Sequence, residues 1–298
     1  MPYFSIIIPT FNRAHSINRA LKSVLDQSFQ DIEVIVIDDA STDNTKEVVG
    51  QMKDKRIHYV LNDVNFERCV SRNKGIEKAK GKYICFLDSD DYHLPYHLEE
   101  LYYLIQSKEE PVGFFFANAW NETVDGLRTE RGCPDFEITD PYSYFLHYTV
   151  NPQRWCVHRQ IFEKIQFDPK VTICEDMDTS LRIVNAGFPV FQLKKRTTVY
   201  VAAKDSFTHG DPQKWEKELF FLKRIFSKKE LKRKLPSTEK KRLLSMCYFH
   251  LSCKQLGIGN RIKTIQYSIQ SFLYYPKGYN GKTNKILLVN LFYSIFKK

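Results

Sequence analysis

The stretch GKYICFLDSDDYHLP, Gly81 to Pro95, runs five apolar residues, Tyr83-Ile84-Cys85-Phe86-Leu87, straight into Asp88, Asp90 and Asp91. A short apolar run without alternation reads as a strand buried on both faces, as in a parallel sheet. Three carboxylates within four positions repel one another and raise each other's pKa, so a cation or abundant water must face them. The plainer alternative is a solvated turn whose aspartates cap the next helix.

Working outward, Phe4–Ile8 and Val34–Ile37 are runs of the same kind. Each ends in polar residues: Thr10-Phe11-Asn12-Arg13 after the first, Asp38-Asp39-Ala40-Ser41 after the second. Helical spacing fills the gaps, with Ile17, Leu21, Val24 and Leu25 on one face, a second helix over Thr45 to Met52, and Cys69, Val70, Ile76 and Ala79 marking a third. Strand-helix alternation predicts a doubly wound α/β sheet. Ligands of such sheets bind beyond the carboxyl ends of the strands, where all three polar clusters fall, so they predict one site. Gly113–Asn118 reads as a further strand. A helix starts near Glu175, carries Met177, Leu181 and Val184 as its stripe and stops at Gly187-Phe188-Pro189. Strands over Val190–Leu193 and Thr197–Val201 follow. Beyond Pro212 the pattern is helical, with stripes at Trp215, Leu219, Leu222 and Phe226, at Leu243, Leu244, Cys247 and Leu251, and at Ile262, Ile265, Ile269 and Phe272.

The 298 residues have the composition of a globular protein, not of a disordered one. Seven cysteines, none in a CxxC pair, suit reduced thiols in a cytoplasm and give neither a zinc spacing nor a disulfide framework. The N-terminal apolar run lacks a preceding basic region and is too short for a signal peptide, and no run reaches the roughly 20 residues of a membrane span. The net charge of +10 is uneven: residues 211–298 hold 20 Lys and Arg against 5 Asp and Glu, leaving 25 against 30 in residues 1–210. An acidic half that needs cations precedes a basic half that meets something anionic.

Alternate residues of a turn project in similar directions, so Asp88 and Asp90 can converge, and oxygen-only ligands suit Mg²⁺ or Mn²⁺. Such an ion bridges carboxylates to a diphosphate. Three segments then carry a resemblance: SIIIPTFNRAHSINRALKSVLDQSFQDIEVIVIDDASTDNT, RNKGIEKAKGKYICFLDSDD and EDMDTSLRIVNAG, in this order over roughly residues 3–208. Together they resemble glycosyltransferase family 2, inverting enzymes that use nucleotide-diphosphate sugars. The resemblance implies a GT-A fold, a Rossmann-like mixed, mainly parallel sheet flanked by helices. Here it would occupy residues 1–210, with a nucleotide-binding half over about 1–118 and an acceptor half over about 119–210. Residues 211–298 would form a helical extension.

The resemblance also implies roles. Pro9, Thr10, Phe11, Asn12 and Arg13 would line the nucleotide pocket, with Asp38 and Ser89 beside it. Asp39 would accept from the base, usually uracil, whose N3–H is a donor. Arg72 would approach base or phosphates; Asp88 would hold ribose or metal, and Asp90 the metal. Glu67 departs from the family pattern NxGxxxAR, which has Gly there, and Ser71 stands where Ala is usual. In the Glu175-Asp176 pair, Asp176 would be the general base that takes the acceptor's proton; the dipole at a helix N-terminus accounts for acids there equally well. Glu175 is a candidate acceptor contact. His209 is a candidate third metal ligand, with an ordinary loop histidine as the alternative. Trp155 is a candidate stacking ring for an acceptor sugar, with a core position as the alternative. It shares only part of the QxxRW motif of processive synthases and precedes the acidic pair, which argues against processive synthesis.

The basic extension has three readings: a solvated helical cap, a nucleic-acid surface, for which no motif is present, and an anionic membrane surface, where each Lys or Arg contributes about 1 kcal/mol. Lys228-Lys229, Lys232-Arg233-Lys234, Lys240-Lys241-Arg242 and the terminal ILLVNLFYSIFKK favour the membrane. The expectation is an enzyme on the inner face of the cytoplasmic membrane, using a UDP-sugar, Mn²⁺ or Mg²⁺ and a glycan or lipid-linked acceptor, with no nucleic-acid partner. A sugar-nucleotide pyrophosphorylase would need a GxGTRL-type loop where PTFNR stands. A non-catalytic membrane-binding module is the remaining alternative, and intact Asp39, Asp90 and Asp176 argue against it.

Overall fold

The computed structural model describes residues 1–131, 138–148, 150–202, 213–227 and 236–276. The chain divides into two compact units, Met1–Ser206 and Phe207–Lys298. The first is built on a mixed sheet of nine strands. These are β1 (Phe4–Thr10), β2 (Ile32–Asp38), β3 (Ile57–Leu61), β4 (Tyr83–Phe86), β5 (Tyr92–His93), β6 (Phe114–Glu122), β7 (Arg128–Arg131), β8 (Trp155–His158) and β9 (Val190–Val201). Their order is β3-β2-β1-β4-β8-β6-β9-β5, with β7 paired to β6. The helices are α1 (Ile17–Leu25), α2 (Thr45–Gln51), α3 (Glu67–Lys78), α4 (His97–Gln106), α5 (Pro141–His147), α6 (Arg159–Phe162) and α7 (Glu175–Asn185).

β1 and β2 pair in parallel with Thr10 opposite Asp38, and β4 lies parallel on the other side of β1 with Phe86 opposite Ile7. The three apolar runs therefore end at one edge, and the loops that follow them meet there. Ile6, Ile8, Val34, Val36 and Cys85 share one core with Ile17, Leu21 and Val24 of α1 and Leu98, Leu101 and Ile105 of α4. At the opposite edge Ser5 Oγ donates to Glu33 Oε1 at 2.5 Å, and the Gly81 amide donates to both. A Cβ on Gly81 would lie 2.6 Å from the Ser5 amide nitrogen, so the first residue of the deciding stretch has to be glycine.

Four strands escaped the sequence pattern. β3 is half-exposed and so shows no apolar run, β5 has two residues, β7 is polar, and β8 contains a His and a Cys. The two expected strands at Val190–Leu193 and Thr197–Val201 are one strand, β9, whose register against β6 shifts around Asn118. β6 itself runs through Asn118, so one sheet spans both expected halves. In α7 the residues turned inward are Leu181 and Ile183 with Thr179 and Ser180, while Met177 and Val184 are half-buried. Polar residues enter that face because the start of α7 lines the site.

The second unit contains the helices Lys214–Ser227, Ser237–Gly257 and Arg261–Tyr274 among its described residues. Leu222 and Phe226 are buried, joined by Phe221 and Ile225, while Trp215 and Leu219 are half-buried. Leu243, Leu244, Cys247 and Leu251 are buried as well. Most of the third stripe does not pack: Ile262, Ile269 and Phe272 face outward and Ile265 is half-buried, while Thr264, Ser268 and Ser271 face inward.

Candidate active site

The loop after β1 and the loop after β2 hold each other. The Asn12 amide donates to Ser41 Oγ at 2.9 Å, the Thr42 amide donates to Asn12 Oδ1 at 2.8 Å, and the Arg13 amide donates to Thr45 Oγ1 at 3.0 Å. Both loops turn through left-handed backbone, at Asn12 (φ 52°) and Ala40 (φ 66°). Asn tolerates that region better than most residues. Pro9 and Arg13 are half-buried and Phe11 is exposed at the mouth. Thr10 Oγ1 is buried and finds no hydrogen-bond partner among the described residues. A buried hydroxyl without a partner is costly, and a ligand at this edge would satisfy it.

Asp38 and Asp39 take different parts. Asp38 is fully buried, its Oδ1 accepting from the Ser41 amide (2.8 Å) and its Oδ2 from the Tyr59 hydroxyl (2.6 Å). Each oxygen accepts one bond from the protein, so Asp38 staples the loop after β2 to β3. Asp39 Oδ1 accepts from Asn62 Nδ2 (2.7 Å) and the Phe66 amide (3.0 Å), leaving Oδ2 for an incoming N–H donor.

The three carboxylates of the opening stretch separate in the same way. Asp91 is buried, accepting from Gln153 Nε2 and the Val201 amide, each at 2.9 Å. Burial, then repulsion from Asp90 and Asp88, pushes its pKa well up. Asp91 therefore ties the loop to β9. Asp88 and Asp90 stay partly exposed, with side-chain accessibilities of 30% and 25%. Asp88 Oδ1 lies 3.1 Å from Arg72 Nη2, and Asp90 Oδ2 lies 3.9 Å from Arg13 Nη2. Arg19 donates to the Asp90 carbonyl. Arginines thus supply the opposing charge that the repulsion demanded. Ser89, between them, is buried.

Arg72 joins two parts of the site. Its Nη1 lies 3.0 Å from Glu175 Oε1, so one buried guanidinium spans Asp88, at the end of β4, and Glu175, at the start of α7. Burial works against its charge, but Asp88 and Glu175 outweigh it and hold the pKa above the usual arginine value. Its Nε–H is buried without a partner among the described residues. Arg68 Nε also reaches Glu175 Oε1, at 3.0 Å. Glu175 is thus buried and ion-paired to two arginines through Oε1.

Asp176 sits beside this network at the first turn of α7. Cys174, just before the helix, has φ 59°, a left-handed conformation that costs a residue with a Cβ about 1 kcal/mol. Asp176 Oδ1 accepts from the Met177 amide at 2.7 Å and Oδ2 from Asn151 Nδ2 at 3.2 Å. Burial and then repulsion from Glu175 push its pKa up to about 7, against the pull of the Met177 amide, Arg72 and Arg68. A carboxyl poised near neutrality suits proton abstraction at physiological pH.

Asn151 went unnoticed in the sequence. It is aimed at Asp176 by two donors to its own Oδ1, the Tyr200 hydroxyl at 3.1 Å and Arg131 Nη2 at 3.4 Å. Its one sequence signal is its place before Pro152-Gln153-Arg154, whose Gln153 holds Asp91. Trp155 is 0% exposed and its Nε1–H donates to the Val150 carbonyl at 2.6 Å, so it is a core ring and not an acceptor platform. His209 lies outside the described residues, as do Lys228-Lys229, Lys232-Arg233-Lys234 and residues 286–298.

Glu67, the departure from the family pattern, has φ 70°. That conformation explains why glycine is usual there. Glu67→Gly should raise thermal stability, by about 0.5 kcal/mol once glycine's larger unfolded-state entropy is set against relief of the left-handed strain. Chemical denaturation of the two proteins checks it.

Among the described residues no group of three or more His, Cys, Asp or Glu side chains gathers to hold a metal by itself. Asp88 and Asp90 nevertheless fit a hard divalent cation: both are oxygen donors and both are partly open to solvent. Two carboxylates leave most of an octahedral shell to water and phosphate oxygens, the usual arrangement of Mg²⁺ with nucleotides.

A parallel βαβ half, three polar loops at its carboxyl edge and a buried acid at the start of α7 form the candidate site of an α/β protein. Residues 5–166 match the model of Glycosyl transferase family 2, and the chain belongs to that family. It is a glycosyltransferase. Over 227 residues it is 29% identical to a Bacillus subtilis (strain 168) protein named for teichuronic acid biosynthesis, the glycosyltransferase TuaG, covering 75% of this chain and 88% of the relative. Over 134 residues it is 40% identical to the GalNAc(5)-diNAcBac-PP-undecaprenol beta-1,3-glucosyltransferase of Campylobacter jejuni, covering 44% of this chain and 42% of that one. Its fold is similar to that of S. aureus TarS 1-349 in complex with UDP-GlcNAc, with a TM-score of 0.66 at 19% identity over 99% of this chain and 87% of that one. No described helix is long and apolar enough to cross a membrane.

Proposed function

We propose that this chain transfers a sugar, with inversion, from a UDP-sugar to a hydroxyl of a glycan or lipid-linked acceptor in surface polysaccharide or glycoconjugate synthesis. The observation that carries this reading is Arg72, whose two arms reach Asp88 and Glu175, so that one buried cation links the expected donor edge to the acid next to Asp176. Pro9 to Arg13 would enclose the nucleotide, with Thr10 Oγ1 and Asp39 Oδ2 turned to it; Ser89 would contribute through its backbone. Asp88 and Asp90 would hold Mn²⁺ or Mg²⁺, which neutralises the departing diphosphate when bound. Asp176, oriented by Asn151, would take the proton of the acceptor hydroxyl as that oxygen attacks the anomeric carbon from the face opposite the leaving group. The names of the B. subtilis and C. jejuni relatives favour a polysaccharide or undecaprenyl-linked acceptor. The basic extension would keep the enzyme at an anionic membrane surface, on the inner face of the cytoplasmic membrane, where such acceptors are held.

Calorimetry tests the donor side. UDP should bind at least ~10-fold more tightly with Mn²⁺ present than without it, and Asp90→Asn should remove most of that gain. Equal UDP affinity with and without Mn²⁺ would refute the metal assignment, and no UDP binding under either condition would refute the donor.

A further inference from the structure

In water an amphipathic helix turns its apolar face to its neighbours and its polar face to solvent. The Arg261–Tyr274 helix does the reverse. Its fully buried residues are Thr264, Ser268 and Ser271, and the seam with the Ser237–Gly257 helix is closed by hydroxyls, with the half-buried Tyr267 and Tyr274 rings against Tyr248 at its side. Ser252 Oγ meets Ser268 Oγ at 2.7 Å, Ser245 Oγ donates to the Ser271 carbonyl at 2.9 Å, and Ser271 Oγ donates to the Ser245 carbonyl at 2.8 Å. Its outward residues are Ile262 (81% exposed), Leu273 (66%), Phe272 (51%) and Ile269 (46%), with Ile258 exposed just before it. Small hydroxyl-bearing residues between helices and aliphatic residues outside is the pattern of helix pairs in an apolar medium.

Charge identifies the medium. Residues 240–298 contain no Asp or Glu and 11 Lys and Arg. Arg261 and Lys263 lie on the same helix as the apolar face. A second copy of the chain would bring the same positive charge against this face, whereas an anionic lipid surface complements it and accepts the aliphatic side chains below its headgroups.

We propose that the face formed by Ile262, Ile269, Phe272 and Leu273 inserts into the interfacial layer of an anionic lipid bilayer, with the helix lying in the membrane plane. This rests on the membrane-surface reading above for its purpose, and on the packing of the second unit for its geometry. It specifies which residues contact acyl chains, so binding depends on apolar insertion as well as on charge.

The test is co-sedimentation of the full chain with vesicles of phosphatidylglycerol and phosphatidylcholine, beside vesicles of phosphatidylcholine alone. Wild type should sediment with the anionic vesicles, and the triple variant Ile262→Glu, Phe272→Glu, Leu273→Glu should lose at least about 10-fold in partitioning. All three positions are exposed, so an unchanged circular dichroism spectrum and unchanged melting establish that the variant folds. UDP binding, read in the same preparations, should be unaffected, which separates failure of this inference from failure of the donor reading. Variant binding equal to wild type overturns the inference. So does a wild-type dimer in light scattering that the variant converts to monomer while vesicle binding persists, which would make this face a self-interface. Loss of binding on deleting residues 277–298, with none in the triple variant, overturns it in favour of the last segment.

Discussion

Asp176→Asn should lower turnover by about 10²- to 10⁴-fold, the range a general base contributes, while leaving UDP affinity within about 2-fold of wild type. Asparagine keeps the size of the side chain and one acceptor oxygen for the Met177 amide, but its NH2 cannot accept from Asn151 Nδ2 and it cannot take up a proton. The same carboxyl sets a pH signature. Because kcat/KM reports groups of the free enzyme, its acid limb should show an apparent pKa near that of Asp176, about 7. Stability should move the other way. The folded state keeps this proton up to about pH 7, whereas an unfolded aspartate releases it near 3.9. Stability therefore falls as pH rises through that window, because the unfolded state has already lost the proton. Relative to the Asn variant, which has no buried charge to form, the wild type should lose on the order of 4 kcal/mol of stability as the pH is raised from about 4 to about 8. Pulsed-chase transfer assays and denaturant titrations at two pH values measure both effects. A variant that turns over normally would remove Asp176 as the base.

Arg72→Met should both destabilise the fold and displace the pH profile. Removing one partner of a buried ion pair costs about 3–5 kcal/mol. The lower end is expected, because Asp88 is partly solvated and Glu175 keeps its contact with Arg68. Without Arg72, Glu175 repels the Asp176 carboxylate with less compensation, so the acid limb of kcat/KM should shift to higher pH. A residue that only filled space would not move that limb. Arg72→Lys should recover part of the stability and less of the activity, since an ammonium is a single point of charge and cannot span two carboxylates as a guanidinium does. A Met variant with wild-type melting and an unmoved profile would show that Arg72 does not couple the two halves of the site.

Much of this was legible in the chain. Phe4–Ile8, Val34–Ile37 and Tyr83–Leu87 announce buried parallel strands because every residue in them is apolar or nearly so, and the polar residues after them announce the edge where a ligand binds. Glu67 was legible as an anomaly, and its φ of 70° supplies the reason. The distinction between paired residues was not legible. Asp38 and Asp39 are neighbours of one type, as are Asp90 and Asp91, yet Tyr59 and Ser41 occupy one of the first pair and Gln153 and Val201 occupy one of the second. Those partners stand 21, 3, 62 and 110 positions away, so all but the nearest arrive only on folding.

The tail reversed its reading for the same reason. A 3.6-residue period marks Ile262, Ile265, Ile269 and Phe272 as one face, but period alone does not say whether that face looks in or out; the hydroxyl seam between Ser245, Ser252, Ser268 and Ser271 decides it. Local patterning thus determined the three apolar parallel strands, the polar edge that follows them and the family. Which aspartate stays partly open, which acid stands buried near neutrality and which way a helix turns were decided by tertiary contacts, because burial and charge pairing are properties of residues brought together from distant parts of the chain.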